Sequence, residues 1–383
     1  MIYHGNCLDV MKRIPDNTYS AIVTDPPYAI DLLGKDWDKC LPDERYWKEA
    51  LRIVKPGGYI FAFGGSRTFH RLCVKIEDSG WVIKDMFLWL YGSAMAKSHD
   101  ISKAIDDHLG AEREEVIMPS SKVRNTKATG GGVDKKQGTR PFIERAKKRG
   151  YHVIKSDKPV TTQAMDFDGY GTGLRPSHEP IIVAMKPLDN NYHTNALKHG
   201  ISGLDIQGNR IGDDDITVSH NKGNAYSHSY GEKGTKPTPS HKTQHKGRHP
   251  ANVVIDPIIA AQFKRIANAD RYFYVAKPTK KEKGYFNNHP SVKPLELIRY
   301  LLRLLKQPNN ATYILDPFCG SGSTLVAAEQ LGIRCDGIEM NEEYIEIINS
   351  RIENIKKMKE QKKSSKMTKK RIVKNKRIKK NKK

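Results

Sequence analysis

Short apolar runs alternate with helix-like stretches at both ends of the chain, and this alternation most constrains what the chain can fold into. Near the N-terminus, strands are predicted at 20–24, 59–63 and 81–89, with helical stretches between them. Near the C-terminus, 312–315 and 333–338 are predicted strands joined by a helix. Strands that alternate with helices predict a parallel α/β sheet at each end of the chain.

A long polar region, 93–285, separates these two patterned regions and has poor periodicity. It is rich in Gly, Ser, Thr, Asn, His and Lys. We therefore predict one α/β domain that is split into a first half, 1–92, and a second half, 286–355, with an irregular region inserted between them. The last segment, 356–383, holds 16 basic residues and one acid. Because like charges repel, this segment is predicted to be a disordered tail.

The whole chain is basic, with 66 lysines and arginines against 43 aspartates and glutamates and a formal net charge of +23. This charge predicts a polyanionic partner, and nucleic acid is the usual one. No apolar stretch is long enough to span a membrane, and no signal peptide precedes the first strand, so a cytoplasmic protein without a membrane partner is expected. The five cysteines show no C-x-x-C spacing and are predicted to be reduced thiols rather than metal ligands.

The first motif with chemical meaning is Asp25-Pro26-Pro27-Tyr28, directly after the strand at 20–24. Methylation of a base amino group needs hydrogen-bond acceptors on its N–H groups, because the nitrogen lone pair is delocalised into the ring. The Asp25 carboxylate and the Pro26 carbonyl, which neighbouring prolines hold rigid, supply two acceptors. Tyr28 offers a flat face for a base that has left the stack. The alternative is an ordinary turn at the end of a strand.

The second motif runs from Asp316 to Thr324, through Phe318, Gly320 and Gly322, at a strand-to-helix junction. Glycines at such a junction allow the backbone to approach a ligand closely. The spacing matches neither a phosphate-binding P-loop nor a dinucleotide fingerprint. Glu339 follows the next strand, where an acid can accept hydrogen bonds from both hydroxyls of a ribose.

Together these motifs resemble the DNA amino-methyltransferases, and specifically their circularly permuted beta class, in which the catalytic tetrad precedes the cofactor loop. Here the tetrad is at 25–28 and the Phe-x-Gly-x-Gly loop begins at Phe318. Two further segments are similar to the family's cofactor-binding segments. Gly5 to Asp9 resembles the one that touches the cofactor's adenine, and His289 to Pro294 resembles the one beside its methionine end. From these matches the expected cofactor-binding residues are Asn6, Cys7, Ser291, Lys293, Pro294, Asp316, Phe318, Gly320, Gly322, Thr324 and Glu339.

Two stretches of the middle region, 97–106 and 169–180, are similar to phage and prophage members of the family and are candidates for the lining of a DNA cleft. The reading that they are ordinary loops stays open. The resemblance implies a Rossmann-like sheet of seven strands, S-adenosylmethionine as cofactor and no metal. It also implies double-stranded DNA as substrate, in the cytoplasm of a prokaryote or a phage-infected host.

The resemblance implies direct methyl transfer to a flipped base, with Asp25, Pro26, Pro27 and Tyr28 as the catalytic residues. A tetrad that begins with Asp favours N6 of adenine, and N4 of cytosine is the alternative. An RNA or protein methyltransferase and an inactive DNA-binding homologue are further alternatives. The first is disfavoured by the order of the motifs, and the second by the intact tetrad, loop and Glu339. A homodimer and a cognate restriction endonuclease are both compatible with the sequence.

Overall fold

The computed structural model describes residues 1–30, 36–92, 98–119, 148–220, 241–266, 268–275 and 292–380. The strands are β1 Ile2–His4, β2 Tyr19–Thr24, β3 Val54–Phe63, β4 Val82–Leu90, β5 Glu115–Pro119, β6 Tyr151–Lys155, β7 His178–Met185, β8 Ile211–His220, β9 His241–Arg248, β10 Val253–Ile255, β11 Tyr274–Val275, β12 Tyr313–Asp316 and β13 Arg334–Glu339. The helices are α1 Cys7–Lys12, α2 Glu44–Ile53, α3 Phe69–Asp78, α4 Ile101–His108, α5 Thr162–Asp166, α6 Tyr192–His199, α7 Pro257–Arg265, α8 Leu295–Leu304, α9 Ser323–Leu331 and α10 Glu342–Lys380.

The main sheet of the described residues has nine strands in the order β1-β13-β12-β2-β3-β7-β4-β10-β11. All neighbouring pairs are parallel except the two that β7 makes with β3 and β4. Every residue of β2 is buried, as expected for a central strand that is covered on both faces. The predicted α/β class is confirmed, and the sheet is mixed rather than wholly parallel.

The predicted count of seven strands is corrected to nine. The first seven strands of the order form the expected sheet, and the short strands β10 and β11 extend it beyond β4. Both short strands and β7 come from the region that was predicted to be irregular. The apolar run of β7, Pro180 to Met185, is well buried, but it is short and lies between polar segments. A single short run of this kind gives a weak periodic signal.

The helices pack their apolar faces on this sheet. In α2, Asp43 caps the N-terminus by accepting from the Arg45 N–H, and Trp47 and Ile53 are buried. They join a core cluster that includes Ile22 and Ile60 of the central strands. In α8 the leucine-rich face is also buried, and it includes Leu297, Leu301 and Leu304. The buried face of α2 therefore packs on the central strands of the sheet, whose ends carry the site.

The chain divides into two compact units whose bounds differ from the predicted halves. The first unit contains 1–26, 41–91 and 178–383, and the second contains 27–40 and 92–177. Within the second unit, β5 and β6 pair antiparallel, and α4 contacts α5. The main sheet belongs to the first unit.

The last helix, α10, extends to Lys380, where the sequence predicted a disordered tail from 356. Asn341 accepts from the Glu343 N–H at its start, and Tyr344 and Ile348 are buried. Lysine, arginine, glutamate and glutamine all have good helix propensity, which favours continuation of a helix that is already nucleated. Among the described residues, no helix is long and apolar enough to cross a membrane.

Candidate active site

The chemically distinctive side chains of the first unit lie at one edge of the main sheet. Parallel strands end at the same edge, and ligands of open α/β sheets bind there. Because β7 runs antiparallel to β3 and β4, its first residues lie at this same edge, where Glu179 pairs in register with Trp89. The residues at or directly after the strand ends on this edge are Asp25, Phe63, Trp89, Tyr91, Glu179, Asp316 and Glu339.

Asp25 follows β2 and is joined to a lysine from a distant part of the chain. Its Oδ2 lies 2.8 Å from Nζ of Lys293, and the two side chains are 23% and 8% exposed. The same Nζ lies 3.4 Å from Oε1 of Glu179 and 5.1 Å from the centre of the Phe63 ring. Burial alone would lower the pKa of Lys293, but the carboxylates of Asp25 and Glu179 outweigh it and raise that pKa. Lys293 is therefore a buried ammonium group between two acids.

The residue before Asp25 connects it to the second motif. The Thr24 hydroxyl donates to Oδ1 of Asp316 at 2.8 Å, and the Phe318 N–H donates to the same oxygen. Burial raises the pKa of Asp316 to about 7, although hydrogen bonds from Thr324 and Thr24 oppose the rise. Asp316 and Thr324, both expected to bind cofactor, therefore connect the loop after β12 to the end of β2.

The other half of the tetrad, Pro27 and Tyr28, belongs to the second unit, and its backbone is held there by a carboxylate. Asp38 accepts from the N–H groups of Tyr28 at 2.7 Å, Ala29 at 3.1 Å and Ile30 at 3.4 Å. Its residue exposure is 1%. Three successive N–H groups on one buried acid fix the backbone on the C-terminal side of the prolines. Asp38 was not predicted, since nothing in its sequence surroundings marks it.

The loop after β12 has the backbone shape that its glycines predict. Gly320 and Gly322 have φ angles of 51° and 78°, which disfavour other residues. A Cβ atom on Gly322 would also lie 2.8 Å from Cγ1 of Ile348 in α10. Phe318 packs towards the protein interior, with its ring 6.2 Å from that of Trp47. Gly322 therefore serves close packing, while Gly320 turns towards Glu339.

Glu339 ends β13 next to the predicted N-terminal segment. The backbone N–H groups of Asn341 and Gly320 lower its pKa, but burial outweighs them and the pKa is raised. The Gly5 N–H donates to the Glu339 carbonyl at 3.0 Å, which places Asn6 and Cys7 beside the same strand end. The Asn6 side chain caps α1 by accepting from the Leu8 N–H. Cys7 is buried, and this burial raises the pKa of its thiol to about 12.

The structure therefore brings most of the predicted cofactor residues together at one end of this edge, and places Lys293 on Asp25, which follows the neighbouring strand β2. Pro294 precedes α8 as its N-cap residue. Ser291 lies outside the described residues. Glu179 was predicted only as part of 169–180, a candidate lining of a DNA cleft; recognition of 178–185 as an antiparallel strand would have placed it beside Asp25. Within the described residues, no group of three or more His, Cys, Asp or Glu side chains could hold a metal ion.

The glycine loop and Glu339 are chemically suited to a nucleoside ligand. A carboxylate at the end of β13 can accept from both hydroxyls of a ribose, and the loop beside it lets a ligand approach the backbone. Asp25 lies at the end of β2, which pairs with β12. This arrangement is chemically suited to an α/β protein that binds a nucleoside-type ligand next to a carboxylate.

Comparison with known proteins identifies the family. The model of the N6_N4_Mtase family, described as DNA methylase, matches residues 19–350. The chain belongs to this family of DNA methyltransferases.

Individual relatives that align over most of this chain have low sequence identity to it. The Type II methyltransferase M.HindIII of Haemophilus influenzae is 22% identical over 396 aligned positions, which cover 92% of this chain and 94% of that protein. Two solved structures are also similar. One is an M1.HpyAVI–SAM complex, 16% identical, with a TM-score of 0.41 and coverage of 92% and 98% of the two chains. The other is the cytosine-N4-specific PvuII DNA methyltransferase, 15% identical, with a TM-score of 0.45 and coverage of 92% and 85%.

Proposed function

We propose that this DNA methyltransferase transfers a methyl group from S-adenosylmethionine to N6 of adenine in double-stranded DNA. The observation that carries the proposal is the hydrogen bond of 2.8 Å between Thr24 and Asp316. It ties the strand end that bears Asp25 to the loop that is suited to the cofactor. Methyl donor and acceptor nitrogen can then be held in line with little loss of freedom on reaction.

The residues of the chain have distinct tasks in this reaction. S-adenosylmethionine, when bound, supplies an electrophilic methyl group on sulfur. Glu339 would hold the ribose and the loop from Phe318 to Gly322 would enclose the cofactor. Asp25 and the Pro26 carbonyl accept hydrogen bonds from the amino group, which increases electron density on nitrogen as it attacks. The C–S bond breaks as the N–C bond forms, and the proton then released from nitrogen passes to water.

The choice of adenine rests on the tetrad, which begins with Asp25. The tetrad also precedes the Gly320–Gly322 loop in the chain, and this order supports the circularly permuted beta class. The Type II relative supports a place in restriction and modification. The basic segment from Lys356 supports duplex DNA as the substrate, since cations on the protein release counterions from phosphate. The likeness to phage members, the homodimer and a partner endonuclease stay predictions.

The test is transfer of labelled methyl from S-adenosylmethionine to unmethylated DNA of high sequence complexity, followed by nucleoside analysis. We expect label in N6-methyladenine. The Asp25→Ala variant should lose at least about a hundredfold in kcat because one of two acceptors on the amino group is gone. The matched control is Asp78→Ala, an exposed acid at the end of α3, which should leave kcat unchanged.

Different outcomes separate the parts of the proposal. Label in N4-methylcytosine would keep the mechanism and replace the base. Unchanged kcat in Asp25→Ala would remove Asp25 from the reaction. A protein that binds no S-adenosylmethionine, as measured by calorimetry, would contradict the enzyme assignment itself.

A further inference from the structure

Lys293 connects two acids that are far apart in sequence. Lys293 lies just before α8. Its Nζ contacts Asp25, which follows β2, and Glu179, which is the second residue of β7. It is 8% exposed and also lies over the Phe63 ring. The sequence had assigned Lys293 to the cofactor. The contacts place its charge on the Asp25 carboxylate, and its contact with the cofactor stays a prediction.

The charges of this group do not cancel. An ammonium group is costly to bury unless it is paired, and two carboxylates within 3.4 Å of the same nitrogen provide that pairing. Two acids and one base leave one net negative charge. Without Lys293, the carboxylates of Asp25 and Glu179 would lose the cation that they share, and Oδ2 of Asp25 would lose its contact at 2.8 Å.

Resting on the proposed function, we infer that Lys293 and Glu179 are positioning residues for Asp25. Lys293 holds Oδ2 of Asp25 and so sets the plane in which this carboxylate accepts a hydrogen bond from the amino group of the base. Glu179 is the second anchor of Lys293, with Oε1 3.4 Å from Nζ. Neither residue forms or breaks a bond in the reaction. Orientation has a large effect on rate, since displacement of a reacting group by about 1 Å can cost about a hundredfold.

The kinetic test compares Lys293→Met, Lys293→Arg and Glu179→Gln with the wild type at saturating DNA and S-adenosylmethionine. Lys293→Met keeps a similar side-chain volume, and should lower kcat by about a hundredfold. Its Kd for S-adenosylmethionine, from calorimetry, should change by less than about threefold. Lys293→Arg should recover at least about tenfold of the lost rate because it restores the charge. Glu179→Gln should lower kcat by about tenfold, because Lys293 then loses one anchor.

Three kinetic results would overturn the inference. The first is a normal kcat in Lys293→Met with weaker cofactor binding, which would return Lys293 to the cofactor. The second is a folded Lys293→Arg protein that is no more active than Lys293→Met. The third is an unchanged kcat in Glu179→Gln, and this variant keeps the inference testable even if Lys293→Met does not fold.

A stability cycle tests the arrangement without any methyl transfer. Lys293→Met should lower the melting temperature by about 5 °C, because it leaves two neighbouring carboxylates without their shared cation. The double variant Lys293→Met/Glu179→Gln should regain about half of that loss. If the two changes simply add, the charged group does not act as a unit and the inference fails. If the effects of the two substitutions on the melting temperature are not additive but the wild type methylates no DNA, the proposed function fails. The coupling between Lys293, Asp25 and Glu179 is then still supported.

Discussion

Two buried ion pairs, one in each unit, solve the same physical problem in different ways. In the second unit, Asp106 and Arg113 have side chains that are 0% and 1% exposed. In the first unit, Asp25 and Lys293 are 23% and 8% exposed. Both pairs join an acid to a cation at close range. Only the pair of Asp25 and Lys293 leaves its acid partly open to solvent, and we call it the open pair. The pair of Asp106 and Arg113 is the closed pair.

The pair in the second unit has all its partners within the protein. Asp106 accepts from the backbone N–H groups of Val160 and Thr161 and from the Thr161 hydroxyl, as well as from Arg113. Arg113 also donates to Ser102 and to the Asp157 carbonyl. Burial raises the pKa of Asp106, but these donors outweigh burial and hold that pKa well below its usual range.

The difference teaches how to separate a structural charge from a functional one. Arg113 and Asp106 balance each other and are closed off by neutral donors, so they fasten α4 to the segment before α5. Lys293 is shared by two acids, which leaves a negative charge beside an accessible strand end. In the proposed reaction, a partly open carboxylate of this kind can accept hydrogen bonds from a substrate.

The largest expected effect on the melting temperature comes from a substitution in the closed pair, Asp106 and Arg113. Arg113→Met should lower the melting temperature by more than about 5 °C, because it leaves Asp106 buried without its cation. The folded protein should keep kcat within about threefold when it is assayed about 10 °C below its own melting temperature. Thermal unfolding followed by circular dichroism measures the first value, and methyl transfer the second. A stable but inactive variant would end the distinction between the two pairs.

Exchange of lysine and arginine between the two pairs should change the melting temperature less, and it tests whether the geometry of the cation matters. Arg113→Lys keeps the charge but cannot reach Asp106, Ser102 and the Asp157 carbonyl together, because it lacks the planar fork of arginine. We expect a melting temperature about 4 °C below that of the wild type. In the open pair Lys293 acts as a point charge, so Lys293→Arg should be the milder of the two exchanges. Equal losses of stability in both would show that fork geometry does not distinguish the pairs.

The smallest expected effect concerns pH and the buried acid beside the open pair. The pKa of Asp316 is raised to about 7 by burial. The folded state therefore holds a proton that the unfolded state releases above about pH 4, and stability should fall as the pH rises towards 7. Asp106, whose pKa is lowered, has the opposite sign, and its contribution is lost only as the pH falls.

The measurement is the melting temperature of the wild type and of Asp316→Asn at several pH values. The advantage of the wild type over the variant should shrink by about 3 °C between about pH 5 and pH 8. Thr324→Val is the matched variant: it removes a hydroxyl that lowers the pKa of Asp316, so the decline should extend to higher pH. A constant difference between wild type and Asp316→Asn would show that this carboxyl does not titrate in that range.

Local patterns were enough to predict a large part of the fold and site. The strand before Asp25, the turn at Gly320 and the acid at Glu339 lie where the sequence placed them, because each depends on a few neighbouring residues. The strand β7 and the extension by β10 and β11 were not predicted, since their apolar runs are short and their pairing is set by distant strands. Helix α10 continues past the predicted boundary because the helix propensity of its lysines and arginines outweighs the repulsion between their charges.

The sequence by itself determined the α/β class, the tetrad at Asp25, the glycine loop and the acid after β13. Each of these is written in residues that are close together in the chain. Only the tertiary structure decided that β7 runs antiparallel and that Glu179 therefore lies at the same edge as Asp25. It also decided that Lys293, 268 positions from Asp25 in the chain, binds that carboxylate. Such pairings arise because the sheet brings strand ends together in space, and their order along the chain does not reveal which charges will meet.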